Sequence, residues 1–222
     1  MAYCAVIVAA GRSARIGGGT PKQFTSLCGR GVVWHAVQPF LQNRHIKTVR
    51  VIVAAEDKDI AAQFFADNAA VDILPVGGKT RAQSVRNGIH GLADDDWAVV
   101  HDAARPCLTD AALTRLLQKA GSDDIGGLLA LPLADCLKNG GNGRVRQTLQ
   151  RTDKWLAQTP QMFRVGLLRA SLADEDSDES QAVERAGHLP LLVAGETTNI
   201  KITGPDDFAL ATAILTVRQS KP

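Results

Sequence analysis

Apolar positions in this chain fall into short unbroken runs separated by stretches with helical spacing. Tyr3 to Ala9, Thr48 to Ala54, Val71 to Leu74, Trp97 to His101 and Leu128 to Leu131 are the runs. Their length and branched residues predict strands covered on both faces. Between them, Val33, Ala36, Val37 and Phe40 recur at helical intervals within Val32 to Leu41, although Pro39 weighs against an unbroken helix. Helices are also predicted over Asp57 to Ala70 and from about Thr80 to Leu92, and Thr109 is placed to cap another through Ala120.

Strands alternating with amphipathic helices predict an α/β fold with a mostly parallel sheet between two helical layers. Ligands in such sheets bind beyond the carboxyl ends of the strands, where strand order reverses. Three segments fall at such ends: the residues after Ala9, those after Leu74, and His101-Asp102.

The alternation breaks between Leu133 and Arg151. Asn139 to Gly143 is a hairpin signal, flanked by Asp135 to Lys138 and Arg144 to Thr148. These flanks are too polar to be buried twice, and a lone two-stranded ribbon in water is marginal. The ribbon is therefore expected to pack on something else: a partner subunit is the leading reading, its own domain the alternative. Helix signals return near Val165 to Ala173 and Glu179 to Ala186. A strand at Leu189 to Val193 follows, then a helix from Pro205 with Phe208, Ala211, Ile214 and Leu215 on one face.

Composition narrows the class without changing the fold. The chain has 222 residues, 45% apolar and 22% charged, with a net charge of +2, values that suit one domain with a substantial core. No basic stripe points to nucleic acid, and no apolar run is long enough to span a bilayer. Met1 leads into a strand, not a signal peptide, so a cytoplasmic location is expected. Cys4, Cys28, Cys107 and Cys136 lack metal-ligand spacing and are expected as free thiols, with no protein metal site.

Candidate chemistry begins where the first strand ends. Ala9, Ala10 and Gly11 open a loop carrying Arg15, Gly17 to Gly19 and then Pro21-Lys22-Gln23. Small residues let backbone N–H groups approach phosphate oxygens, and Arg15 and Lys22 add full positive charges. The alternative is a surface loop with incidental cations. A dinucleotide fingerprint is excluded, because Arg12 and Ser13 follow Gly11. A P-loop is excluded too: Gly77-Gly78-Lys79-Thr80 would need a glycine where Ile73 stands.

These segments together resemble the 2-C-methyl-D-erythritol 4-phosphate cytidylyltransferase family of the bacterial non-mevalonate isoprenoid pathway. The resemblance spans nearly the whole chain, with its motifs in family order. Ala9-Ala10-Gly11, Arg15 and Pro21-Lys22-Gln23 match the triphosphate loop. Gly77-Gly78, Arg81 and Ser84-Val85 match the cytidine segment. His101-Asp102-Ala103-Ala104-Arg105-Pro106 matches the segment meeting ribose and sugar phosphate. Arg151, Trp155, Gln158-Thr159-Pro160-Gln161 and Asn199-Ile200-Lys201 match the methylerythritol phosphate site.

The resemblance implies a Rossmann-like three-layer fold, one nucleotidyltransferase domain over 1–222, and a protruding ribbon arm at about 133–152. It implies Arg15, Lys22, Arg151 and Lys201 as catalytic cations. CTP would be held by Ala9, Ala10, Gly11, Gly77, Gly78, Arg81, Ser84 and Asp102. Methylerythritol phosphate would meet Asp102, Arg105, Cys136, Arg151, Thr159 and Lys201. Mg²⁺ would bind mainly through the CTP phosphates, and a homodimer would carry Arg151 into the neighbouring site. Cys136 departs from the family's usual Thr, and a thiol is the weaker donor. Lys79 and Lys154 also stand where the family often has other residues.

A phosphate monoester is largely dianionic at neutral pH, so this reaction needs no general base; it needs alignment and cations. Several residues retain a plainer reading. Arg105 before Pro106 could pin a turn, Ser84 could cap a helix, and His101 reads as a satisfied core histidine. Trp155 reads as packing, and the acidic run from Asp174 to Glu179 as a solvated helix start. The rival functions are ribitol 5-phosphate cytidylyltransferase and a non-catalytic CTP-binding subunit.

Overall fold

A computed structural model describes residues 1–11 and 20–220. The first strand, β1 (Tyr3–Val8), is followed by the two-residue strands β2 (Ser26–Leu27) and β3 (Arg30–Gly31) and helix α1 (Val32–Gln42). Then come β4 (Ile46–Ile52), α2 (Lys58–Phe64), β5 (Val71–Leu74), α3 (Arg81–Gly88), β6 (Trp97–Asp102) and α4 (Asp110–Gly121). The next strands are β7 (Gly126–Pro132), β8 (Leu137–Gly141), β9 (Arg144–Leu149) and β10 (Trp155–Arg164). Helices α5 (Val165–Ser171) and α6 (Glu179–Arg185), strand β11 (Leu191–Ala194) and helix α7 (Pro205–Gln219) complete the order.

Seven strands form the main sheet in the order β11-β7-β10-β6-β1-β4-β5. All neighbours are parallel except β10, which runs antiparallel to both β6 and β7. Alternate residues of β1 feed two cores. Ala5 and Ile7 join Val33, Val37, Leu113 and Leu116 from α1 and α4 on one face. Cys4 and Val6 join Val85, Leu168 and Val183 from α3, α5 and α6 on the other. A satellite cluster seats Ala211 and Leu215 of α7 on Leu27, Cys107 and Ile202. Period-2 alternation buried on both sides explains why the strands read as unbroken apolar runs.

The expected α/β three-layer arrangement holds, with three corrections. Helix α2 ends at Phe64, well short of Ala70, because Phe65 already leaves helical geometry. β10 has no counterpart in the sequence reading. Pro160 stands inside it, and a proline within an apolar run argues against an interior strand. The sheet accommodates it with an irregular register between Ala157 and Gln161, where the Thr159–Pro160 bond is cis. The acidic run from Asp174 is not uniformly solvated either: Asp176 is buried and Glu179 is 0% exposed.

The hairpin signal forms the ribbon β8–β9. Asn142 and Gly143 both take positive φ, 55° and 71°, the geometry that two-residue hairpin turns favour. All residues of β9 are exposed, Val145 at 65%.

Candidate active site

The carboxyl ends of β1, β4 and β6 open onto a cleft of about 680 Å³. Its floor is Val8 to Gly11, Gly77 and Gly78. Its cations are Lys22, Lys79, Arg81 and Lys201, and its carboxylates are Glu56 and Asp102. Gly77 is where backbones converge: a Cβ there would lie 2.5 Å from the Ala10 Cβ and 2.8 Å from the Val53 oxygen. Only glycine permits that approach, which leaves backbone groups on the cleft wall.

Local hydrogen bonds shape this wall. The Ser84 hydroxyl accepts from the Gly78 N–H at 3.0 Å and donates to the Thr80 carbonyl at 3.0 Å. Thr80 caps α3 by accepting from the Gln83 N–H at 3.1 Å, a contact worth about 1 kcal/mol. Gln23, 3% exposed, donates to the Ala9 and Gly11 carbonyls at 2.6 and 3.2 Å and so ties down the end of β1. Lys22 Nζ donates to the Ile202 carbonyl at 2.7 Å, which brings the loop after β1 against the segment carrying Lys201.

Asp102, at the end of β6, is the centre of the charge network. Its Oδ1 accepts from Arg81 Nε at 2.9 Å, and its Oδ2 lies 2.8 Å from Lys201 Nζ and 4.0 Å from Arg105 Nε. Burial opposes ionisation of Asp102, but the charges of Arg81 and Lys201 outweigh it and hold the carboxyl well below the usual carboxylate range. The other edge of Arg81 makes a two-point pair with Glu179, at 2.6 and 3.0 Å. Burial pushes the Glu179 carboxyl up and Arg81 pulls it back.

A second cavity of about 130 Å³ adjoins the cleft and shares Arg81, Asp102 and Lys201 with it. Its remaining walls include Arg105, Gln158, Thr159 and Ser177. Arg105 donates to the Asn199 carbonyl at 2.8 Å, and Asn199, 0% exposed, donates to the Thr159 carbonyl at 2.8 Å. The Asn199 to Ile202 segment thus joins Arg105, β10, Lys201 and Lys22.

His101 and Thr159 form a buried lock beneath this floor. His101 Nε2 contacts the Arg105 carbonyl at 3.1 Å; a carbonyl only accepts, so Nε2 carries the proton. Burial pushes the His101 pKa down to about 4, so the ring is neutral and Nδ1 accepts from the Thr159 hydroxyl at 3.0 Å. That hydroxyl in turn accepts from the Asp102 N–H at 3.1 Å. His101 is a core residue, and the Thr159 hydroxyl is engaged by the protein itself.

Ala9, Ala10, Gly11, Lys22, Gly77, Gly78, Arg81, Ser84, Asp102 and Lys201 therefore converge on one cleft, and Arg105 and Thr159 adjoin it. Arg15 lies outside the described residues. Arg151 and Cys136 line neither cavity: both are exposed near the ribbon, where Arg151 donates to the Ala134 carbonyl. Among the described residues, no three His, Cys, Asp or Glu side chains group as a metal cage. Glu179 was missed because its acidic neighbours made it look solvated. Its place directly after the capping Asp178, which accepts from the Gln181 N–H, was the available signal.

Residues 3–217 match the family model for 2-C-methyl-D-erythritol 4-phosphate cytidylyltransferase. A protein of that name from Laribacter hongkongensis is 45% identical over 223 residues, covering 97% of each chain. One from Bordetella pertussis is 46% identical over 218 residues, covering 93% of this chain and 95% of its own. A crystal structure of 4-diphosphocytidyl-2C-methyl-D-erythritol synthase superposes with a TM-score of 0.87 at 38% identity, covering 96% and 98%. The Francisella tularensis 2-C-methyl-D-erythritol 4-phosphate cytidylyltransferase superposes at 0.82 with 29% identity, covering 96% and 100%.

Proposed function

The chain belongs to the 2-C-methyl-D-erythritol 4-phosphate cytidylyltransferase family, and on that premise we propose how its residues divide the reaction. The enzyme joins CTP and 2-C-methyl-D-erythritol 4-phosphate, giving 4-diphosphocytidyl-2-C-methyl-D-erythritol and pyrophosphate. A phosphate oxygen of the acceptor forms a bond to the α-phosphorus as the bond to the β-phosphate bridging oxygen breaks. Pyrophosphate leaves with that electron pair. The incoming monoester is already dianionic, so no proton has to be removed. The barrier is the approach of two anions, and the protein's contribution is alignment and charge.

One observation carries the assignment: Arg81, Asp102 and Lys201 form a shared wall between the large cleft and the small cavity. CTP occupies the large side. Ala9, Ala10, Gly11, Gly77 and Gly78 present backbone to it, and Ser84 supports Gly78. Lys22 faces the triphosphate and the leaving pyrophosphate, and the family resemblance assigns Arg15, outside the described residues, to the same charge. The acceptor occupies the small side, beside Arg105 and Thr159, with Lys201 meeting its phosphate at the boundary. Asp102 suits a ribose or polyol hydroxyl, because its depressed pKa keeps it an acceptor throughout the working range.

Mg²⁺ fits this donor set as an ion carried by the nucleotide. It keeps water and phosphate ligands and needs one or two carboxylates, not a cage. Asp102 would be the motif carboxylate nearest such an ion, with contact to a ribose hydroxyl as its main role, and the ion would neutralise triphosphate charge. The ribbon is a dimerisation arm in this reading. Its exposed Val145 and Leu149, with Trp155 and Leu156 at its base, would be covered by a second copy. Arg151 and Cys136 would then serve the neighbouring acceptor site.

Pyrophosphate release from CTP and Mg²⁺, run in parallel with methylerythritol phosphate and ribitol 5-phosphate, tests the substrate assignment. Release with methylerythritol phosphate alone is expected. Release with ribitol 5-phosphate alone would keep the chemistry and overturn the acceptor. CTP binding without turnover of either would favour a regulatory subunit.

A further inference from the structure

Glu179 is fully buried behind the site: it lines neither the cleft nor the small cavity and meets their shared wall only through Arg81. Its two oxygens are used on one partner, the terminal nitrogens of Arg81. A two-point pair fixes the plane of a guanidinium as well as its position. With that plane set, the remaining Nε–H of Arg81 points at Asp102 Oδ1. Asp102 then has only Oδ2 left for Lys201. From these contacts we propose that Glu179 is a positioning residue for the acceptor side of the site, acting through Arg81 and Asp102 on Lys201.

The fold places Glu179 by a route that starts in β10. Gln161, 1% exposed, donates to Asp178 Oδ2 at 3.0 Å and accepts from the Ser180 N–H at 2.7 Å. These contacts bracket Glu179 from both sides and seat the start of α6 on the sheet. The strand that supplies Thr159 to the small cavity therefore also sets the carboxylate that orients its opposite wall.

Charge gives the arrangement a second consequence. Arg81, Lys201 and Arg105 surround Asp102, and Glu179 offsets the excess. Neutralising Glu179 would leave Arg81 able to swing onto an incoming phosphate or to take both oxygens of Asp102. Either movement displaces Lys201. On the CTP side Gly78, Ser84 and Thr80 are held by their own hydrogen bonds, so the disturbance is expected to fall mainly on the acceptor side.

The inference rests on the cytidylyltransferase reading, and the test separates the two. CTP affinity is measured by calorimetric titration without acceptor, and steady-state pyrophosphate release with methylerythritol phosphate varied, for the unaltered enzyme, Glu179→Gln and Glu179→Asp. An inactive unaltered enzyme would fail the functional reading itself. With an active one, Glu179→Gln is expected to keep CTP affinity within about threefold while acceptor kcat/KM falls by roughly tenfold to a hundredfold. Glu179→Asp, which keeps the charge with a shorter reach, is expected to recover part of that loss. Should the Gln variant not fold, Glu179→Asp alone carries the test, with an intermediate acceptor-selective loss expected. Acceptor kcat/KM unchanged in a folded variant would overturn the inference. So would CTP affinity and acceptor kcat/KM falling in parallel, since that is what a purely structural role produces.

Discussion

Lys201 and Asp102 meet at 2.8 Å on the wall common to the two cavities. Each is supplied by a different part of the chain, Asp102 by the end of β6 and Lys201 by the segment before α7. In the proposed division of the site their pairing would hold a cation at the boundary between nucleotide and acceptor. An arriving phosphate would exchange for a carboxylate already in place, so Lys201 would not have to be ordered at the moment of binding.

Lys22→Ala removes the cation that joins the loop after β1 to the Ile202 carbonyl. Turnover is expected to fall by roughly a hundredfold to a thousandfold, the scale of losing one donor to developing charge. Arg15→Ala is expected to behave likewise. Circular dichroism and sedimentation should show unchanged folding and assembly, and near-normal turnover would remove the residue from the catalytic set.

Gly77→Ala forces a methyl group against Ala10 and the Val53 carbonyl. Overpacking of this kind costs about 1–3 kcal/mol. The melting temperature should drop and CTP affinity should weaken together, read by thermal unfolding and by titration. Unchanged CTP affinity would mean that this wall does not face the nucleotide.

His101 supplies a pH signature. Burial lowers its pKa from 6.5 to about 4, so the unfolded chain binds a proton in this window that the folded chain refuses. Its contribution is fully present above pH 6.5 and is lost as pH falls toward 4, amounting to on the order of 3 kcal/mol. Urea unfolding across that window should show a steep fall for the unaltered chain and a shallower one for His101→Gln. Equal slopes would contradict a buried neutral histidine.

Arg151→Ala and Lys22→Ala chains should each be inactive alone. If the arm serves a neighbouring site, mixing them with subunit exchange restores part of the activity, because one hybrid site carries both native cations. Absence of rescue despite exchange, followed by mass spectrometry, would assign the arm to its own subunit. Cys136→Thr, which installs a stronger donor, is expected to tighten acceptor binding in the same assay.

The parallel strands and most helices were legible because their apolar spacing is local. So were the segments ending at Gly11, Gly77 and Asp102, since topology alone puts the strand ends on one edge. β10 was not legible: Pro160 interrupts its pattern, and its pairing depends on partners far away in the chain, Val99 and Gly127 for Met162. Glu179 was hidden for a related reason. Burial of a carboxylate depends on a guanidinium brought to it by another element, here Arg81 at the start of α3. The role proposed for Arg151 would depend on a second chain, which a single subunit's sequence and fold can suggest only through an uncovered ribbon.

The most direct test of the divided cleft is steady-state kinetics of Lys201→Ala, with each substrate varied in turn. The account predicts that half-saturation by CTP stays within about threefold of the unaltered enzyme while kcat/KM for methylerythritol phosphate falls by roughly a hundredfold or more. Equal losses toward both substrates, or a loss confined to CTP, would contradict the placement of Lys201 on the acceptor side.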